Sequence, residues 1–107
     1  MPVHAIREQQ RTRLIFDGAL TIYEAHSARL ALIEILTGTQ PIEVDLAGIG
    51  EIDLSGVQLL LTLLGEPNIE FQTNASAVVG NVLRLLDIEK LFWPPSAPEP
   101  HQLVQEH

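Results

Sequence analysis

Asp53, Ser55 and Gly56 stand together in Ile52-Asp53-Leu54-Ser55-Gly56-Val57-Gln58, where residue type and spacing offer a chemistry. A serine hydroxyl at the start of a helix can cap it, attack an electrophile or accept a phosphate. As a cap it fits: Ser55-Gly56-Val57-Gln58 has capping-box spacing, although Asp53 is itself a good N-cap residue. As a nucleophile it lacks a setting. Asp53 and His26 are available for a triad, but there is no Gly-x-Ser-x-Gly elbow. As a phosphate acceptor it is expected where a strand's carboxyl end meets a helix, a usual place for ligand and partner sites. A phosphate there carries about −1.5 to −2 charges, and the unpaired N–H groups and positive dipole of the helix end are expected to hold it. Glu43, Asp45, Glu51 and Asp53 form an acidic run with no base between residues 43 and 53. Gly48, Gly50 and Gly56 leave room for another backbone to approach.

Other constellations are weaker. Asp45, Glu51 and Asp53 have the chemistry of Mg²⁺ ligands, but acids near one turn are usually a solvated face. His4, His26, His101 and His107 show no ligand spacing, and there is no cysteine, so neither a metal site nor a disulfide is expected. The absence of a Walker A loop and of Gly-x-Gly-x-x-Gly speaks against a nucleotide site. No cofactor is expected.

The elements that must position Ser55 follow from pattern. Val3 to Arg7 and Thr12 to Asp17 read as strands around a Glu8–Arg11 hairpin loop, with Asp17-Gly18 ending the second. Thr21-Ile22-Tyr23-Glu24 has capping-box spacing and opens a helix to about Thr37, stopped by Gly38. Its inner stripe is Ala25, Ala28, Leu32, Ile35 and Leu36. Ile42 to Leu46 is the next strand, reached by a right-handed parallel crossover. A tight turn with two glycines and two acids then leads into a helix from Leu54 to Leu64. That helix is apolar almost all round. Val57, Leu60, Leu61 and Leu64 make one stripe, Leu59 and Leu63 a second, and Gln58 and Thr62 a polar edge. Sandwiching explains two apolar faces best; leucines 59 and 63, if exposed, would serve a homodimer. Ile69 to Gln72 is a short strand and Ala77 to Leu86 a helix, with Phe92 and Trp93 expected to cover an open edge of the core. Residues 1–93 read as one domain. Residues 94–107, with four prolines in the first seven, read as an extended or disordered tail.

Composition bounds the rest. A 107-residue chain that is 46% hydrophobic supports one packed core and excludes general disorder. The net charge of −8 is uneven. Arg7, Arg11 and Arg13 oppose Glu8 at the N-terminus, while three cations face thirteen acids over the remainder. An acidic body repels phosphate backbones and anionic lipid, so neither nucleic-acid nor membrane binding is expected; a partner with a basic patch fits. There is no leader-like or membrane-spanning apolar run, and a cytoplasmic location is expected.

The order strand, strand, helix, strand, helix, strand, helix resembles the STAS domain of the bacterial anti-sigma-factor antagonists. The resemblance runs from about Leu14 to Phe92. It is carried by Asp17-Gly18-Ala19-Leu20-Thr21, Val44-Asp45-Leu46, Ile52-Asp53 before Ser55, the leucine-rich helix after it, and Val82-Leu83-Arg84-Leu85-Leu86. It implies an α/β fold with a central mixed four-stranded sheet, an N-terminal hairpin plus parallel strands, packed with three to four helices. It also implies a non-enzymatic role in partner switching. Ser55 matches the family's phosphate acceptor, Asp53 the acid two places before it, and Gly56 the following glycine. Leu54 stands where many members carry a second small hydroxyl residue, and the tail replaces their C-terminal helix. Docking is implied on the Ser55 helix face, at Asp53, Leu54, Gly56, Gln58 and Leu59, with Thr21, Tyr23 and Glu24 beside it. The implied partner is an anti-sigma serine kinase or a chemotaxis-pathway protein. The alternative is the ATPase of a phospholipid-trafficking ABC transporter, which would use the same surface without a phosphate cycle.

Overall fold

The structure, a computed structural model, describes residues 3–38 and 40–95. In chain order the elements are β1 (Val3–Arg7), β2 (Thr12–Leu20), α1 (Ile22–Ile35), β3 (Ile42–Ile52), α2 (Leu54–Leu64), β4 (Ile69–Phe71), α3 (Ala77–Leu85) and α4 (Glu89–Phe92). The sheet order is β1-β2-β3-β4, with β1 and β2 antiparallel and the other pairs parallel. This is the mixed sheet with an N-terminal hairpin expected from the pattern. Glu8 N–H donates to the Arg11 carbonyl at 2.9 Å and closes the hairpin loop.

β2-α1-β3 and β3-α2-β4 step in the same direction across the sheet. Right-handed crossovers that step the same way lay both helices on one face. Burial agrees: Thr12, Leu14 and Phe16 of β2 and Ile42, Val44 and Leu46 of β3 are buried, while their alternates Arg13, Ile15, Glu43 and Asp45 remain partly exposed on the other face. The buried face forms one cluster with Leu32 of α1, Leu60 and Leu63 of α2, and Val79 and Leu83 of α3.

Two strands run further than their sequence suggests. β2 does not end at Asp17-Gly18 but passes through it to Leu20. Gly18 adopts φ +74°, and the register against β3 shifts on either side of it, so the glycine makes a bulge rather than an end. β3 likewise continues to Ile52, and residues 47–51 are strand, not a tight turn. A Cβ on Gly48 would meet the Asp17 Cβ at 2.7 Å, so the lack of a side chain lets the two irregular strands stay paired. Ile49 buries its side chain at 1% exposure.

The helices lie close to expectation. α1 stops two residues early, with Leu36 as its C-cap. α2 has the expected bounds, but its exposed and buried sides differ from the reading. Leu59 and Leu63 are buried and Leu61 is exposed, because the strip toward the sheet and α1 runs Gly56, Val57, Leu59, Leu60, Leu63. Leucines 59 and 63 therefore offer no surface for a homodimer. Phe92 is buried and stacks edge-on against Phe71, ring centroids 4.9 Å apart. Trp93 Nε1 donates to the carbonyls of Phe71 and Gln72 at 3.2 and 3.0 Å. The pair covers the end of β4 as expected. Beyond Pro95 the proline-rich segment lies outside the described residues.

Candidate functional site

The site is built where the carboxyl end of β3 turns into α2. Asp53 is the N-cap, in extended conformation, and its carboxylate takes three backbone donors. Ser55 N–H donates to Oδ1 at 2.9 Å, Gly56 N–H to Oδ1 at 3.2 Å, and Ile22 N–H to Oδ2 at 2.9 Å. One side chain thus fastens the N-termini of α2 and α1 together. These donors favour the ionised form, Ile22 most strongly, so the Asp53 carboxyl is held below the usual carboxylate range despite partial burial. At the head of α1, Glu24 accepts from Thr21 N–H at 3.2 Å and from the Thr21 hydroxyl, completing the expected capping box.

Because Asp53 is the cap, Ser55 is not. Ser55 is the second residue of α2, half-buried, and among the described residues its hydroxyl has no hydrogen-bond partner. The capping reading of Ser55 is corrected accordingly. Expectation also fails for the donors at this helix end. Asp53 already occupies the N–H groups of Ser55 and Gly56 that were expected to hold a phosphate.

The residues expected to dock a partner divide in two. Tyr23 (87%), Leu54 (70%) and Gln58 are exposed. Ile22, which the sequence did not single out, joins them at 65%. Thr21, Gly56 and Leu59 are buried, with Leu59 reaching the surface only within the groove between α1 and α2. Glu24 is half-buried and tied to Thr21. Gly56 serves packing within the molecule, since a Cβ there would lie 2.1 Å from the Leu20 carbonyl oxygen. Likewise Gly48 closes on β2, while Gly50 meets nothing.

The acidic run divides as well. Glu43 and Asp45 face the open side of the sheet, where Arg11 lies 2.6 Å from Glu43 and Arg13 3.8 Å from Asp45. They are not part of the Ser55 surface. Among the described residues no cluster of three His, Asp or Glu side chains could hold a metal. Beside Ser55 the structure instead places a groove of about 330 Å³ between α1 and α2, lined by Ile22, His26, Arg29, Ser55, Gln58 and Thr62 among others. His26 and Arg29 are 29 and 26 positions from Ser55 in sequence, so no local motif announced them; their i, i+3 spacing on α1 was the available signal. A hollow of about 360 Å³ between Arg11 and the start of β3 and β4 holds surface ion-pair residues at the opposite end of these parallel strands.

Sheet order, crossovers and the Asp53–Ser55 helix start define a STAS-like α/β fold. Among solved structures the chain is similar to the anti-sigma factor antagonist SpoIIAA in its unphosphorylated form. The TM-score is 0.68 with 17% identity, over 97% of this chain and 95% of that one. An uncharacterised DUF3478-family protein with a SpoIIAA-like fold, from Shewanella loihica PV-4, aligns with a TM-score of 0.49 and 15% identity, over 97% of this chain and 90% of that one. No family model and no curated protein matches the sequence. At these identities the likeness concerns the fold. No helix among the described residues is long and apolar enough to cross a membrane.

Proposed function

We propose that this chain is a non-catalytic signalling adapter of the anti-sigma-factor-antagonist kind. It docks a serine kinase or related signalling protein through the exposed rim of Ile22, Tyr23, Leu54 and Gln58, and phosphorylation of Ser55 releases that partner. The observation that carries this reading is the Ser55 hydroxyl, which is left without a partner because Asp53 performs the capping. The rim supplies an exposed tyrosine, a residue type that protein interfaces favour as an anchor, with an exposed leucine and a polar edge beside it. The solved neighbour SpoIIAA supports it further, as an anti-sigma factor antagonist described in an unphosphorylated form.

The test is incubation with ATP and an anti-sigma-type serine kinase of the same genome, followed by intact-mass analysis. One phosphate on the parent chain and none on Ser55→Ala is the expected result. Ser55→Asp should abolish kinase binding, and Leu54→Ala or Tyr23→Ala should weaken it about tenfold while leaving the fold unchanged. Binding that ignores Ser55→Asp but is lost in Leu54→Asp would replace the switch with a constitutive subunit role, such as the transporter one.

A further inference from the structure

The groove between α1 and α2 is cationic in an otherwise acidic protein. Among its lining residues are Arg29 and His26, and no carboxylate is among them. Among the described residues Arg11, Arg13 and Arg84 stand in ion pairs, whereas Arg29, like Arg7 and Lys90, does not; of these three only Arg29 lines the groove beside Ser55. Of the carboxylates at this end of the molecule, Glu24 is held by Thr21 and Asp53 by three backbone N–H groups, while Glu51 is exposed at the end of β3 and does not line the groove. Helical side chains lean toward the N-terminus of their helix. On α1 that inclination carries His26 and Arg29 back toward the end where Ile22 meets Asp53 and where Ser55 begins α2.

A phosphate on Ser55 meets a constraint here. The nearest helix-end donors, the N–H groups of Ser55 and Gly56, already belong to Asp53, whose negative charge also repels it. The phosphate must find its counter-charge away from the cap, and the groove is where the fold supplies it. We infer that the α1–α2 groove is an intramolecular receiver for phosphoserine 55, in which the Arg29 guanidinium and the His26 imidazole donate to the phosphate oxygens and Gln58 flanks them. Formation of the phosphoester moves the terminal phosphoryl group of ATP to Ser55 Oγ, with ADP leaving and the hydroxyl proton lost to the kinase or solvent. Arginine suits the role because its planar fork matches phosphate oxygens in pairs. The consequence is mechanical as well as electrostatic. The phosphate lies across the groove, fills it beside Gln58, and neutralises the Arg29 charge next to the rim.

This inference rests on the proposed modification of Ser55, but its test needs no kinase. Phosphoserine is installed at position 55 of the full chain during translation, and its second ionisation is followed by ³¹P NMR. The phosphate is expected to bind its proton more weakly than free phosphoserine, whose second pKa is about 6. Arg29→Gln should strengthen that proton affinity about threefold, the size of an exposed charge pair, and His26→Gln should do so to a lesser extent. Arg29 and His26 are exposed, so both variants should fold, which the melting temperature of the unphosphorylated protein checks. Identical titration in parent, Arg29→Gln and His26→Gln would overturn the receiver and leave the kinase-switch reading standing. A kinase that ignores Ser55 would overturn that reading and leave the titration result intact.

Discussion

On the open face of the sheet, Arg11 and Arg13 answer Glu43 and Asp45 side chain to side chain. At the N-terminal ends of α1 and α2, Glu24 and Asp53 are answered by backbone N–H groups, and the nearby Arg29 has no acid among the described residues. The first region is electrostatically closed, and a flexible pair in water contributes little. The second uses its acids as architecture and keeps a cation beside a hydroxyl that nothing else engages. Paired and unpaired charges are told apart by their partners, not by their number.

Five substitutions probe this contrast. Gly56→Ala should cost most, about 3 kcal/mol in urea denaturation. A Cβ placed 2.1 Å from the Leu20 oxygen and 2.8 Å from Ile52 Cγ1 forces the helix end off the sheet, and the roughly 1 kcal/mol that alanine gains in a helix does not offset it. Gly50→Ala, with no atom within 4 Å of the new Cβ, should stay within about 0.5 kcal/mol of the parent. Equal effects at the two glycines would remove the close approach from the account.

Asp53→Ala should lower the melting temperature clearly at neutral pH and by less in acid. The folded carboxyl is held below its ordinary value, so its contribution is complete above the unfolded pKa of about 4 and disappears as pH falls through the lowered folded value. Thermal melts of parent and variant should therefore converge at acid pH; curves separated by a constant interval at every pH would count against the clamp. Trp93→Phe keeps most of the ring but loses both indole hydrogen bonds, for about 1 kcal/mol. Arg13→Gln, on the open face at 3.8 Å from Asp45, should change stability by less than about 0.5 kcal/mol. A larger loss would mean that the sheet's ion pairs contribute more than their exposure suggests.

The start of α2 was legible because three local signals agree: an acid that caps, a serine and glycine that follow it, and a run of leucines. The capping box of α1 was legible for the same reason. Which of Asp53 and Ser55 would cap was not, since both types suit the position and the choice depends on Ile22 coming to share the acid. Residues 47–52 resisted reading because glycines and acids in that order look like a turn. Their strand pairing depends on Gly48 meeting Asp17, a fit between distant segments. The acidic run misled for a related reason. Strand alternation sends Glu43 and Asp45 to the open face, where arginines from the hairpin meet them. Leu59 was misplaced because an all-apolar helix gives no periodicity to say which leucines face inward; only α1, packed alongside, decides it.

Trp93 has an implication for how this domain behaves at high concentration. The Gln72 N–H turns toward Val44 of β3, so the preceding Phe71 carbonyl faces outward along the free margin of the sheet. The indole already holds that oxygen. A strand from a neighbouring molecule seeking to extend the sheet there finds one of the margin's acceptors already taken, which blunts an otherwise exposed edge.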